Sequence, residues 1–401
     1  MPEITPSFVM QYERRMRALT ETEYLRRLNA KTTWWNKVCR TMNITGKTER
    51  ITWLLNTAKI EPVGPSGTGA ITFEDLVSQT VEYPSFRHGK GIKVQRDQIE
   101  DLDGSGLDIL ADWSMQIGNE TGYYPQRLAA QFLLNAAATD HSADAYDGVP
   151  FFADATTSRT VNGTSVIGHP YNPYRPGLGG YSNWVKGSPI AASGATQFYP
   201  GALPIDDSVT VEVALQNLGK AISYISSVKM PNGVDPRFLT PAYILAPPAM
   251  APRLRELLNA QFIAQSAGSG TGAGSADVKA VIEGFGLGQT LIANELGANF
   301  SYQGTFPFVE ASTGNTKFLT NTVTGSDSTY YIVCTENATT NLGGLLYVMR
   351  KPFKITYYTG DNGGTGMDAV LDRANEFEYH CQGRMSMQPG HPYTIFRFDK
   401  T

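Results

Sequence analysis

Apolar positions along the chain change period several times, and each change marks an element. Residues 6–29, PSFVMQYERRMRALTETEYLRRLN, read as a helical arm with a break near Thr20. Its apolar stripe, Met10, Met16, Tyr24 and Leu28, is interrupted by charge and is too thin for a core helix. Such an arm needs another surface to lie on. Two extended runs follow, 49–60 and 71–86, around the Gly/Pro-rich stretch EPVGPSGTGA at 61–70. This order predicts a long hairpin whose apolar-poor tip projects from the body. Ile92 and Val94 alternate as in a strand. From Leu107 a long helix is predicted, with Ile109, Leu110, Trp113, Ile117, Leu128 and Phe132 at helical spacing. Gly122 and Pro125 inside it predict a kink.

The stretch 155–204 is dominated by Gly, Ser, Thr, Asn and Pro and reads as irregular. A second unit begins near Ile205. It contains an amphipathic helix over 208–228, a buried strand, Pro-rich turn and helix over 242–265, and a loop over 266–278. Strands are predicted at 329–336 and 343–360. Near the C-terminus Phe377, Tyr379 and Cys381 alternate as a sheet strand requires.

Composition narrows the class. Of 401 residues, 41% are apolar and only 17% charged, which suits a chain that buries surface against copies of itself. Net charge is −4, but residues 1–50 hold ten Lys/Arg against five Asp/Glu, a segment charge of +5 that leaves the remainder at −9. The basic clusters Arg14, Arg15, Arg17 and Arg26, Arg27 therefore suit either nucleic-acid phosphates or acidic groups on an adjacent subunit. The adjacent subunit is the favoured partner, since its contacts repeat at every position of an assembly. Trp34 and Trp35 are further candidate intersubunit anchors, as are Pro62, Gly64, Pro65 and Gly67 at the hairpin tip.

Three separated cysteines, Cys39, Cys334 and Cys381, lack zinc spacing and suit free thiols in a reducing compartment. The N-terminal segment lacks the apolar core of a signal peptide, and no run is long enough to cross a membrane as a helix. The sequons at Asn162 and Asn337 then carry no meaning.

One segment invites a metal. DLDGSGLDILAD, 101–112, sets Asp101, Asp103 and Ser105 at positions 1, 3 and 5 of a calcium loop and Asp112 at position 12. Position 12 favours a bidentate Glu, position 8 is Asp108 instead of an apolar residue, and no second loop exists. The favoured reading makes Asp103 or Ser105 the cap of the long helix, with Asp108 near its positive end. GSGTGAG at 268–274 follows a helix, not a strand, so it is a loop and not a dinucleotide fingerprint. The five histidines are isolated. Asp140, His141, Ser142 and Asp144 are adjacent only in a polar loop. No residue set argues for an enzyme or a cofactor.

The series of motifs is more telling than any one of them. WLLNTAKI (53–60), FEDL (73–76), QRDQIEDLD (95–103), YDGVPFFAD (146–154), HPYNP (169–173) and TPAYILAPPAM (240–250) occur in this order. Together with the basic arm, the hairpin and the long helix, they resemble the Mu-like phage major head subunit (gpT-like) family. That family is similar to the Hong Kong 97-type (HK97-like) major capsid proteins of tailed bacteriophages. The polar segment 155–168 departs from its pattern.

The resemblance implies an α+β fold with an N-terminal arm (1–47), an extended loop (48–88) and a peripheral domain with a spine helix (89–204). An axial domain (205–370) follows, and a final strand (371–401) returns to the peripheral domain. It implies a structural subunit that tiles an icosahedral virion shell as hexamers and pentamers, made in the host bacterial cytoplasm. The implied partners are its own copies, other head proteins such as portal, scaffold or decoration proteins, and non-specifically held double-stranded DNA, with no membrane. Two other readings stand beside it: an encapsulin-like compartment shell, and a soluble hydrolase using the Asp101–Asp112 carboxylates with a metal.

Overall fold

The computed structural model describes residues 6–54, 78–95, 105–137, 144–156, 158–161, 163–190, 199–259, 263–264, 275–276, 289–302, 306–309, 316–319, 322–336, 343–357 and 376–400. The hairpin tip at 61–70, the carboxylates Asp101 and Asp103, the 140–143 part of the polar loop and the 268–274 glycine run lie outside these residues.

Helix α1 (Pro6–Leu28) is unbroken at Thr20. The sequence carries no proline or glycine there, and the Thr20 hydroxyl donates outward to Ser114 O at 3.1 Å. A short turn, α2 (Trp35–Val38), leads into strand β1 (Cys39–Asn43). Strands β2 (Thr48–Leu54) and β3 (Ser78–Pro84) pair antiparallel, from Thr48 opposite Pro84 to Leu54 opposite Ser78. The predicted hairpin therefore exists at its base. Strand β4 (Phe86–Gln95) precedes the long helix α3 (Ser105–Asn135). Pro125 lies within α3, which runs on as one helix of 31 residues, roughly 46 Å at 1.5 Å per residue.

The stretch expected to be irregular, 155–204, contains an antiparallel pair, Ser158–Val161 with Thr164–Ile167, and further short strands, among them β5 (Trp184–Val185). Helix α4 (Val211–Ser226) starts at Thr210, whose side chain accepts from Val213 N. Ala214, Leu218, Ala221, Ile222 and Ile225 form its buried stripe, the spacing expected of an amphipathic helix. Strand β6 (Leu239–Ala246), helix α5 (Ala251–Asn259) and strands β7 (Gln289–Ile292) and β8 (Tyr330–Glu336) follow. Strands β9 (Leu345–Tyr357), β10 (Glu376–Pro389) and β11 (Ile395–Phe398) complete the larger sheets.

Two sheets organise these strands. One has the order β1-β9-β10-β4 and the other β7-β6-β8-β11-β5. This α+β arrangement changes the division expected from the chain. Strand β9, inside the segment assigned to an axial unit, pairs with β10 and so shares a sheet with β4. Strand β11, at the end assigned to the peripheral unit, instead pairs with β8. Residues 376–398 thus serve both sheets.

The five-stranded sheet has apolar residues on both faces. Tyr330, Ile332 and Cys334 of β8 join Phe396 and Phe398 against α4 and α5. Tyr331 and Val333, on the opposite face, join Leu128, Phe132 and Leu133 of α3. The alternation of a strand divides its side chains between the two cores. Strand β8 is consequently buried along nearly its whole length, and its run of consecutive apolar residues is the expected signature.

Candidate assembly site

The arm does not need a neighbour to lie on. Helix α1 packs along α3, and two glycines of GNETG, Gly118 and Gly122, permit the approach. A Cβ on Gly118 would lie 2.5 Å from Thr20 O, and one on Gly122 would lie 2.9 Å from Arg27 Cβ. Gly122 thus serves close helix packing. Polar contacts supplement this thin apolar stripe: besides the Thr20 bond, Arg17 Nε donates to Ile355 O at 3.0 Å. Met16 is fully buried. A cavity of about 330 Å³ remains between α1 and β9, lined in part by Tyr24, Pro125, Met349 and Phe353. The arm is therefore seated by local close contacts rather than by a continuous core.

The five arm arginines have different surroundings. Arg17 is bonded within the chain. Arg26 pairs with Glu23 at 2.7 Å, an exposed intrahelical pair. Arg27 places its guanidinium over Tyr123, 5.2 Å from the ring centre. Arg14 and Arg15 are exposed.

Trp34 and Trp35 are corrected from intersubunit anchors to subunit core. Their exposures are 1% and 6%. Trp34 Nε1 donates to Glu295 Oε2 at 3.0 Å, while Gln126 Nε2 donates to Glu295 Oε1 at 2.6 Å and Gln126 Oε1 accepts from Trp34 N. Trp35 packs edge-on against Tyr347. These contacts tie the end of the arm to α3 and to both sheets. The width of an indole suited an anchor, but the partner was 261 residues away in the same chain.

The hairpin base is also fixed within the subunit. Tyr83 is 1% exposed and donates to Pro389 O at 3.1 Å, while Trp53 Nε1 donates to Tyr83 Oη at 3.3 Å. Trp53 stands edge-on to His391, with ring centres 4.3 Å apart. His391 also adjoins Tyr146 and Tyr393. Burial, reinforced by the positive charges of Arg237 and Arg40, pushes the imidazole down to about 3. Pro62, Gly64, Pro65 and Gly67 lie outside the described residues.

The calcium template fails on local geometry. Ser105 through Asp112 are helical, so template positions 5–12 do not form a loop around an ion. Asp112 is exposed on α3. Among the described residues no group of three or more His, Cys, Asp or Glu converges as a metal site. Ser105 is the first helical residue rather than the residue preceding the helix; its side chain and Asp103 lie outside the described residues.

A polar cluster missed in the sequence joins two of the quoted motifs. His169, from HPYNP, bonds through Nδ1 to Asp147 Oδ2 at 2.7 Å, from YDGVPFFAD. Its Nε2 meets Phe151 O at 3.1 Å. Asn183 then bridges the same segment to the C-terminal region, donating to Phe151 O and Pro392 O and accepting from Ala153 N. Both His169 and Asn183 are fully buried. With its ring nitrogens occupied, His169 is a structural fastener. The motifs themselves were the available signal, but their residues lie far apart in sequence. All three cysteines are free and buried. Burial raises the Cys381 thiol to about 12 and the other two further, which leaves little nucleophilic thiolate.

Residues 14–169 match the family described as Mu-like prophage major head subunit gpT. This segment belongs to that head-subunit family. It contains the arm–α3 contact, the strands of the hairpin base and the Asp147–His169 pair.

No curated protein matches the chain significantly. Similar solved chains include one in a virus-like particle from Pyrococcus furiosus, 11% identical, covering 95% of this chain and 97% of that one, with a TM-score of 0.41. Another is in the procapsid of bacteriophage JBD30, at 12% identity, 99% and 77% coverage and a TM-score of 0.40. A third is in the capsid of cyanophage P-SCSP1u, at 13% identity, 92% and 88% coverage and a TM-score of 0.47.

Proposed function

We propose that this head subunit tiles an icosahedral shell of HK97-like type, as hexamers and pentamers, around double-stranded DNA. The match of residues 14–169 to the major head subunit family carries the reading. The low charged fraction, 17%, supports extensive contact between copies. In the proposed division, the arm and extended loop precede a peripheral unit built on α3 and the β1-β9-β10-β4 sheet. The axial unit is built on α4, α5 and the β7-β6-β8-β11-β5 sheet. Residues 376–400 contribute to both.

Arg14 and Arg15 are the arm cations proposed to pair with acidic groups of a neighbouring copy. Complementary charge of this kind sets register and association rate more than affinity. The hairpin tip, with Pro62, Gly64, Pro65 and Gly67, is proposed to reach a neighbour. Portal, scaffold or decoration proteins are proposed as further partners, and DNA is held without sequence preference. Asp103 is retained as the proposed cap of α3.

Sedimentation of the purified chain across salt conditions, with and without other head proteins, followed by negative-stain electron microscopy, tests the shell reading. Closed shells or capsomers without an added cofactor are expected. A strict monomer under every condition refutes it. Shells that package protein and take up no nucleic acid replace it with a compartment function.

A further inference from the structure

Residues 237–238 invert the usual disposition of side chains. Arg237 is 8% exposed, whereas Phe238 is 65% exposed. Phe238 has φ +54°, the one positive φ of a non-glycine residue among the described residues. An aromatic residue held in the left-handed region is strained, and the surrounding structure must impose that conformation. Here the opposing demand is visible. The Arg237 guanidinium lies 3.6 Å from the Tyr393 ring centre, which draws this residue inward as its neighbour turns outward.

The loop leading to Phe238 is fixed by internal bonds. Asn232 Oδ1 accepts from both Val234 N and Asp235 N, and Asn232 Nδ2 donates to Asp235 Oδ2 at 2.6 Å. Met230 N donates to Asp235 O, and Lys229 bridges to Pro236. This loop nevertheless leaves Val234 67% exposed. Leu178, itself 38% exposed, approaches it at Gly233. Preorganised apolar groups lower the ordering cost of association.

We infer that the 229–238 loop is a contact between copies of this chain, with Phe238 inserting into a neighbour. The inference rests on, and deepens, the shell reading by naming one of its contacts. Charge argues against a phosphate-lined occupant: the loop's carboxylate is engaged by Asn232, and Lys229 is its one exposed cation. That is too little positive charge for a phosphate-lined partner. A second copy supplies apolar counterparts elsewhere on its surface, including Phe300 at 45% and Val213 at 40% exposure. A contact between unlike patches also allows rings to close by rotation.

The test compares the full-length chain with Phe238→Gly and with Val234→Ser, and separately places p-benzoylphenylalanine at Val234 for photocrosslinking. Phe238→Gly is expected to leave the melting temperature of the unassembled subunit unchanged or higher, because glycine accepts the backbone conformation. Either substitution is expected to raise the concentration needed for assembly at least tenfold, and the crosslink is expected to join two copies of this sequence. Wild-type shell formation with unchanged variants and no self-crosslink overturns the contact while the shell reading survives. Self-crosslinked small oligomers without shells support the contact and overturn the shell reading. Neither shells nor self-crosslinks overturns both. A crosslink exclusively to another head protein overturns the assignment of a second copy.

Discussion

Acid should release the clamp beneath the hairpin base through His391. The ring lies among Trp53, Tyr146 and Tyr393, and its Nδ1 is shielded from water without a hydrogen-bond partner. Burial chiefly, with Arg237 and Arg40 adding repulsion, lowers it from 6.5 to about 3. The unfolded chain therefore takes up this proton before the folded chain does. The stabilising contribution is complete above pH 6.5 and declines as pH falls toward 3. One pH unit within the window corresponds to about 1.4 kcal/mol, and partial exposure of the residue reduces the effect to roughly 2–3 kcal/mol between pH 7 and pH 4. Urea unfolding of the unassembled subunit at these two pH values, followed by tryptophan fluorescence and circular dichroism, measures it. His391→Phe retains an aromatic ring and removes the titration. Its loss of stability between pH 7 and pH 4 should be smaller than the wild-type loss by that amount. Equal losses within about 0.5 kcal/mol, on the scale of one pairwise perturbation, would refute the reasoning.

Gly118→Ala should destabilise the seated arm by about 1–3 kcal/mol, because overpacking against Thr20 O outweighs alanine's better helix propensity. Faster protease cleavage within α1 checks this; unchanged cleavage and melting would remove the close-packing role from Gly118. Trp34→Ala should cost about 3–5 kcal/mol by opening the core and removing a bond to buried Glu295, measured by denaturant unfolding of the unassembled chain. An assembly defect with unchanged subunit stability would instead restore Trp34 as an intersubunit anchor. Replacing Arg14 and Arg15 with Gln should weaken empty-shell assembly; normal empty shells that fail to retain DNA would assign these residues to the genome.

Local periodicity determined which stretches became the arm helix, the hairpin base, α3, α4 and the strand–turn–helix at 239–259. Each depends on residues a few positions apart, and the side chains that repeat at 3.6 or 2 positions define its buried face. The order of the quoted motifs also carried the family resemblance. Tertiary structure decided what those elements touched. Cys39 lies opposite Leu345, Tyr83 bonds to Pro389, and Trp34 bonds to Glu295. Such pairings come from shape and hydrogen-bond complementarity between distant segments, which a local apolar pattern does not encode. It is why the arm found its support on its own long helix and why two exposed-looking tryptophans became core. The inversion at Arg237–Phe238 has the same origin: the buried position was decided by Tyr393, 156 residues farther along the chain.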